Sequence, residues 1–350
     1  MDVLMLLARK GFPATTDEVC DLAYDFAVKN NKKGFSRERG SAGKDWMYLF
    51  KERHKDKIRV YTTQQLSTAR AATATPEAFE AWFDEYEALL KKGKIMDEAG
   101  NVNPKRIWNI DETGVSDLPR PHKAFGVKGE RCNELVGGER GELSTILSYV
   151  NAAGDVVPPM VIHKVRSTTG VYRVHKSWSD GMEPGMMVRG TGTGYIDKNT
   201  FLQYGHQFIR YLKKNKLLTE GEEKNLVIGH STHVYNLPFI DLMIENNVDL
   251  INLVPHSTHL SQPWDKFLTK AVKTFWSPEL RLYTYRKKGK RLIKSHFFSV
   301  FCPVWKIAMK KHRILSSWRV TGLYPIDRTR LTETHDTDPS TVNAGERLTH

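Results

Sequence analysis

Apolar residues in the first ninety positions recur at intervals of three and four, which is the spacing of one helix face. Thr15 to Glu18 has the sequence of a capping box, and the helix that it opens is predicted to bury Val19, Leu22, Ala23, Phe26 and Ala27. A second helix is predicted over residues 43–54, with an apolar stripe of Trp46, Leu49 and Phe50. A third is predicted over residues 64–72, and a fourth is opened by Pro76 and buries Phe79, Trp82, Phe83, Tyr86, Leu89 and Leu90. Residues 1–92 are therefore predicted to form an all-α domain.

The second of these helices carries a basic face opposite its apolar stripe. At 100° per residue, Lys44, Tyr48, Lys51 and Lys55 fall within one narrow arc. A row of lysines with one tyrosine can lie along a DNA backbone. A solvated helix face explains most charge runs equally well, so composition leaves both interpretations open.

The pattern changes after residue 92. Residues 93–105 are rich in charge, Gly and Asn and predict a linker. Beyond it, apolar runs predict strands over residues 107–110, 143–150, 156–163, 225–228 and 248–254. Helical patterns follow over residues 200–214, over 237–246 and from Pro263 onward. Hairpin strands followed by strand–helix–strand units predict a mixed α/β sheet.

Polar residues follow several of these strands, and active sites in such sheets gather at the carboxyl ends of strands. The run 107–110 leads into Asp111 and Glu112, and Gly114 is predicted to turn the backbone. A carboxylate at a strand end can bind a divalent metal, because hard oxygen ligands suit Mg²⁺. An Asp that caps a turn is the simpler explanation of Asp111 alone.

Net charge points to a polyanionic partner. The chain carries +13 with a pI near 9.5, which favours nucleic acid first and an anionic membrane surface second. Between Arg281 and Arg313 there are eleven Lys or Arg and no Asp or Glu, with aromatic residues interleaved. We expect a helix pair that buries its aromatic side and presents a basic cluster of Arg286, Lys287, Lys288, Lys290 and Arg291. The same cluster fits a nuclear localisation signal.

Other features exclude some classes of protein. Cys20, Cys132 and Cys302 are odd in number and far apart, which is typical of reduced, buried residues in an intracellular protein. No stretch is long and apolar enough to span a membrane, so no membrane partner is expected. The glycine-rich residues 185–194 lack the GxGxxG order, so we expect no small-molecule cofactor there. Residues 328–350 are polar and predict a disordered tail.

Three segments resemble the helix-turn-helix domain of the centromere protein B type: residues 11–13, 42–46 and 50–54. The resemblance implies that the second predicted helix, over residues 43–54, contacts DNA. The predicted DNA-binding residues are Lys44, Tyr48, Lys51, Arg53, His54 and Lys55. Members of that family usually carry another helix-turn-helix unit before this one, and Met1 falls inside the first helix of the second unit. We therefore expect lower affinity and specificity, because fewer phosphates and base edges are contacted.

Five further motifs resemble, in the same order, those of Tigger/pogo-like transposases: residues 108–114, 229–233, 255–259, 262–265 and 322–327. The resemblance covers about Gly11 to Asp327. It implies a ribonuclease-H-like fold with a DDE or DDD carboxylate triad that cuts and joins DNA with Mg²⁺ or Mn²⁺. Carried over, it makes Asp111 the first and Asp265 the third catalytic metal ligand.

The second ligand of that triad is missing from its expected place, where this sequence has Ile228. An aliphatic side chain cannot coordinate a hard cation, so a two-metal clamp is not expected and strand transfer is predicted to be weak or absent. Nearby acids do not replace it, since none of Asp241, Glu245 and Asp249 sits at the carboxyl end of a strand.

The resemblance also implies a set of cleft-lining residues: Glu112, His230, His233, His256 and His259. Four histidines could instead bind Zn²⁺. The HxxH spacing lacks the Glu of the HExxH hydrolase helix, which favours the cleft interpretation.

The predicted organisation is an all-α helix-turn-helix domain over 1–92, a linker over 93–105, an α/β ribonuclease-H-like DDE domain over 106–327 with a basic helical C-terminal part, and a tail over 328–350. Three functional hypotheses follow. The first is a nuclear, transposable-element-derived protein that binds double-stranded DNA with impaired catalysis. The second is an active Mg²⁺-dependent DDE transposase, and the third is a scaffold that no longer binds DNA. Because members of the family often work as dimers, a homodimer is compatible with the first two.

Overall fold

The computed structural model describes residues 14–36, 38–58, 74–119, 128, 141–167, 169–218, 223–229 and 236–332. Compactness divides the chain into two units, each assembled from separated stretches of sequence. The first unit draws on residues 1–103, 216–262 and 321–350, and the second on residues 104–215 and 263–320. The division between residues 103 and 104 lies inside the predicted linker at 93–105, whereas residues 216–262 and 321–350 also join the first unit. The predicted domain boundaries stay predictions.

The elements are numbered in chain order within the described residues. The α-helices are α1 (Thr16–Lys29), α2 (Lys44–Arg53), α3 (Pro76–Lys92), α4 (Lys198–Lys214), α5 (Leu237–Glu245), α6 (Thr258–Ser261), α7 (Thr269–Arg286), α8 (Phe297–Ala308), α9 (Lys311–Val320) and α10 (Thr329–Thr332). The strands are β1 (Ile107–Ser116), β2 (Leu143–Asn151), β3 (Met160–Lys164), β4 (Met187–Thr191), β5 (Asn225–Gly229) and β6 (Val248–Asn252). A π-helical turn over Trp264–Leu268 directly precedes α7.

The second unit contains strands β1 to β4 in the order β4-β3-β2-β1. β1 pairs antiparallel with β2, and Asp111 lies opposite Ser148. β2 pairs antiparallel with β3, whereas β3 and β4 are parallel. The predicted mixed α/β class is thereby confirmed.

One face of this sheet packs on α4. Successive strand residues point to opposite faces, so Trp108 and Ile110 face the same way, together with Tyr149 across from Ile110. The ring of Tyr149 stacks on Phe208 of α4 with centroids 4.0 Å apart, and Trp108 meets Phe208 edge-on at 5.2 Å. The alternate positions of β1 place Asn109 and Asp111 on the other face.

In the first unit, α1 and α2 form largely as predicted. Thr15 and Glu18 make the reciprocal capping-box bonds, and α2 lies within the predicted 43–54. Two of the predicted core residues are exposed instead: Phe26 is 56% exposed and Leu49 is 56% exposed. Periodicity predicts that a helix is amphipathic, but which residues are covered depends on neighbours far away in sequence. The cluster under these helices is formed by Cys20, Ala42, Met47 and Phe50.

Helix α3 belongs to the core of the first unit. The indole of Trp82 donates to the carbonyl of Asn252 at 2.5 Å, and the hydroxyl of Tyr86 donates to the carbonyl of Leu323 at 3.1 Å. The same unit holds the parallel pair β5–β6, joined by α5 as the strand–helix–strand pattern predicted. Residues 329–332, predicted as part of a disordered tail, form helix α10.

The structure corrects the predicted strands at two further places, and one predicted helix is not tested. β3 begins at Met160 rather than at 156, after the two prolines Pro158 and Pro159. The glycine-rich segment contains a strand, β4, that the sequence pattern did not predict. Residues 64–72, predicted as a helix, lie outside the described part of the chain.

Candidate active site

Asp111 lies in the middle of β1 and not at its end. The strand was predicted to stop at Ile110 and turn at Gly114, yet it continues to Ser116 because each of these residues pairs with β2. Gly114 lies opposite Thr145 within the ladder. The predicted strand end was therefore wrong, because pairing with the neighbouring strand overrides the local turn signal of a glycine.

Asp265 approaches Asp111 because two hydrogen bonds attach its neighbour to the sheet. The backbone N–H of Trp264 donates to Oδ1 of Asn109 at 3.1 Å, and its indole N–H donates to the carbonyl of Ser148 at 3.1 Å. Asn109 shares the face of β1 with Asp111, and Ser148 lies across from Asp111 on β2. The two aspartates predicted from separate motifs are therefore brought to one place in the second unit.

Burial and like charge shape the electrostatics of this pair. Burial raises the pKa of Asp111 well above its usual range, and the negative charge of Asp265 raises that pKa further. The cation of Lys273 on α7 opposes this shift. Glu112, the next residue of the strand, is exposed, and partial desolvation raises its pKa. The site is thus short of positive charge.

This donor set fits one hard divalent cation. Two carboxylates can bind Mg²⁺ or Mn²⁺ while the ion keeps several waters, and a cation would relieve the repulsion between Asp111 and Asp265. Within the described ranges, no group of three or more His, Cys, Asp or Glu side chains is placed to hold a metal. Ile228, the residue at the predicted second position, is fully buried in β5.

The predicted cleft histidines are only partly described. His256 is exposed and has a φ of 62°, which is a left-handed backbone conformation. His230 and His233, and the side chain of His259, lie outside the described part of the structure. Their predicted role and the alternative zinc site both stay predictions.

The predicted DNA-binding residues of α2 form an exposed basic surface in the first unit. Lys44, Tyr48, Arg53 and Lys55 are exposed, and Lys51 and His54 are half-buried. Tyr48 is 66% exposed. Lys55 is 3.7 Å from Glu52 in an exposed ion pair that contributes little to stability.

The basic cluster at the end of α7 is a separate exposed surface in the second unit. Arg286, Lys287, Lys288 and Lys290 are exposed at the turn that ends the helix. Arg291 is different, since its Nε donates to Asp117 at 2.5 Å, so its charge is partly neutralised. The predicted helix pair buries its aromatic residues only in part: α8 buries Phe297, Phe298, Phe301 and Trp305, whereas Tyr285 at the end of α7 is 84% exposed.

Sequence reasoning missed three residues of this site: Asn109, Trp264 and Lys273. Asn109 had one detectable signal, because it is a polar residue inside an apolar run that is fully buried. A buried amide needs hydrogen-bond partners, and the partner is a residue 155 positions away.

Comparison with known families identifies the domain. The DDE superfamily endonuclease profile matches residues 141–318, which is 178 of the 350 residues. The matched segment includes Asp265 and begins after Asp111.

Individual relatives are distant. The MFS-type transporter clz9 of Cochliobolus lunatus is 23% identical over 252 residues, which cover 72% of this chain and 25% of the relative. The chain thus spans about a quarter of the length of the curated relative it matches. Among the described residues, no helix combines the length and apolar character that crossing a bilayer requires.

Solved structures of Mos1 are similar at a low level. The mariner Mos1 paired end complex with Mg is 10% identical, with a TM-score of 0.44, and the match covers 89% of this chain and 76% of that one. The Mos1 transposase catalytic domain with raltegravir and Mn is 9% identical, with a TM-score of 0.43, covering 79% of this chain and 99% of that one. TM-scores below 0.5 give this likeness no weight for function. The family match carries the assignment and confirms the family predicted from the motifs: the chain belongs to the DDE superfamily endonucleases.

Proposed function

We propose that the chain is a transposable-element-derived DNA-binding protein whose DDE domain binds a divalent metal weakly and cuts DNA poorly. One observation carries the proposal: Asp265 lies close enough to Asp111 to raise its pKa, inside a domain of the endonuclease family. The residue at the expected position of the second acid is Ile228, whose hydrocarbon side chain offers no ligand.

The metal would be Mg²⁺ or Mn²⁺, held by Asp111 and Asp265. Mos1 complexes have been solved with Mn and with Mg, and for this chain the choice rests on its carboxylate donors. A bound divalent ion supplies Lewis-acid polarisation of a phosphoryl oxygen. The chain's own contribution is to hold two carboxylates side by side and to place the cation of Lys273 near them.

Double-stranded DNA is the proposed partner. Two exposed basic surfaces support it: the α2 surface with Lys44, Tyr48 and Lys55, and the α7-end cluster with Lys288 and Lys290. Phosphate contacts from lysine and arginine provide affinity that depends on salt but not on sequence. A helix-turn-helix role for α2, a nuclear location and a homodimer form part of the same proposal.

DNA binding is tested by fluorescence anisotropy with a labelled duplex at salt concentrations between roughly 50 and 200 mM. We expect log Kd to rise linearly with log salt, because each phosphate contact releases counterions. A Kd that does not change with salt would contradict the proposed DNA binding and favour the scaffold hypothesis.

Catalysis is tested by nicking of supercoiled plasmid with Mg²⁺ or Mn²⁺. We expect little or no nicking by the unaltered protein and none by Asp111→Ala. Efficient nicking that Asp111→Ala abolishes would show instead that the chain is an active DDE enzyme. In that case another acid completes the site.

A further inference from the structure

The turn that carries Asp265 begins without a cap of its own. Its N-cap residue is Pro263, and no side chain of the turn accepts from the first amides. Helix starts leave several N–H groups in need of acceptors. Here Oδ1 of the fully buried Asn109 accepts the first of them, the N–H of Trp264, at 3.1 Å. A strand side chain thus takes the place of a helix cap.

A second bond fixes the rotation of the same turn. The Trp264 side chain is fully buried, and its indole N–H donates to the carbonyl of Ser148 at 3.1 Å. One bond reaches β1 two residues before Asp111, and the other reaches β2 directly opposite Asp111. A body held at two points on two strands can neither slide along the sheet nor rotate about one bond.

The geometry of the turn means that fixing Trp264 also fixes the position of Asp265. Residues 264–268 are π-helical, a rare geometry that is frequent at functional sites. The turn buries Trp264 and Leu268 and leaves Asp265 exposed. Because Trp264 and Asp265 are consecutive, any shift of the buried ring displaces the exposed carboxylate.

We propose that Asn109 and Trp264 are positioning residues that set the separation of the two carboxylates, Asp111 and Asp265. The inference rests on the proposed metal-binding function of that pair. Mg²⁺ requires oxygen ligands at about 2.0–2.1 Å in near-octahedral geometry, and functional constellations tolerate errors of only about 0.5 Å. With two carboxylates in place of three, the accuracy of their spacing decides whether the metal is held.

A second tryptophan provides a matched control, because its indole makes the same kind of hydrogen bond from α7 to β1. The indole of Trp276 donates to the carbonyl of Ser116 at 2.8 Å, and Trp276 is also buried. Trp276→Phe and Trp264→Phe each remove one indole N–H from one strand carbonyl and keep an aromatic ring. Only Trp264 adjoins Asp265.

The first measurement is the affinity for Mn²⁺, read from the electron paramagnetic resonance signal of the free ion. We expect Trp264→Phe and Asn109→Ala each to raise the Kd on the order of tenfold, the scale seen when partners of metal ligands are removed. Trp276→Phe is expected to leave the Kd unchanged. An equal rise in Trp276→Phe would mean that loosening the helix anywhere has this effect, which would overturn the proposal.

The second measurement needs no metal. In EDTA, Asp111→Asn and Asp265→Asn are combined in a double-mutant cycle, and the coupling is the non-additive change in the unfolding constant. We expect a coupling in the unaltered protein that falls in Trp264→Phe and Asn109→Ala and persists in Trp276→Phe. No coupling in the unaltered protein, or a coupling that neither Trp264→Phe nor Asn109→Ala reduces, would overturn the proposal. If the coupling falls as expected but Mn²⁺ never binds, the positioning role stands and the proposed metal function fails.

Discussion

Replacing Ile228 by Asp tests whether a carboxylate at this position is sufficient to restore metal binding. Ile228 is fully buried in β5, between Val227 and Gly229. Removing its side chain from the core forfeits about 1.5–3 kcal/mol of burial. Placing an unpaired polar group there costs at least about 2 kcal/mol more. We therefore expect Ile228→Asp to lower the free energy of unfolding by at least about 3.5–5 kcal/mol without metal, as the sum of these two penalties.

A divalent metal should return part of this loss if position 228 is the metal-ligand position that the motif order implies. A ligand that binds only the folded state at 100 times its Kd stabilises by about 2.7 kcal/mol. Urea unfolding with and without Mn²⁺ measures this recovery. It should be larger in Ile228→Asp than in the unaltered protein, and it should disappear when Asp111→Ala is added. Plasmid nicking should rise in parallel.

Val227→Asp is the matched control for this experiment. Val227 is 2% exposed in the same strand, and its side chain points to the opposite face of the sheet because successive strand residues alternate. We expect a similar loss of stability and no recovery with Mn²⁺. Equal recovery in both variants, or none in Ile228→Asp, would refute the assignment of position 228 to the metal site.

Three further outcomes are expected. Asp111→Asn should stabilise the protein at neutral pH, because burial and the neighbouring acid raise the folded-state pKa of Asp111. The stability of the unaltered protein should therefore fall as pH rises from the unfolded-state pKa through the folded-state pKa. Urea midpoints measured across pH should show no such fall in the variant. Arg328→Ala should cost about 1–2 kcal/mol, because Arg328 donates to Glu87 through two nitrogens at 2.7 and 3.1 Å; a cycle with Glu87→Gln that shows no coupling would contradict this. Replacing Lys288 and Lys290 by Ala should reduce the slope of log Kd against log salt by about 0.9 for each phosphate that these lysines neutralise, and an unchanged slope would remove the α7-end cluster from the DNA surface.

The sequence supplied the two aspartates and the order of the elements around them. Motif order predicted that Asp111 and Asp265 belong together, and the two hydrogen bonds of Trp264 to the sheet bring Asp265 near enough for its charge to raise the pKa of Asp111. The hairpin of β1 and β2, the amphipathic helix α4 and the β5–α5–β6 unit also follow from periodicity, since apolar spacing alone specifies them.

What the sequence did not supply depends on contacts between distant residues. The bond from Trp264 to Asn109 joins positions 155 apart, and no local pattern encodes it. β4 was missed because its segment is rich in glycine, a poor strand former. Gly190 is required there by close packing, since a Cβ atom would lie 2.4 Å from the Val165 side chain. Composition gave no strand signal at a place where tertiary packing requires a small residue in a strand.

The interleaving of the two units along the chain governs how the protein can be dissected. Helix α3 lies early in the sequence, yet Trp82 and Tyr86 bond to the carbonyls of Asn252 and Leu323. A truncation that removes residues 1–103 would therefore leave those carbonyls and the α3-facing core uncovered, and a loss of DNA binding in such a fragment would report misfolding as readily as a missing recognition helix. Surface point substitutions in the whole chain separate these causes, whereas deletion mutants cannot.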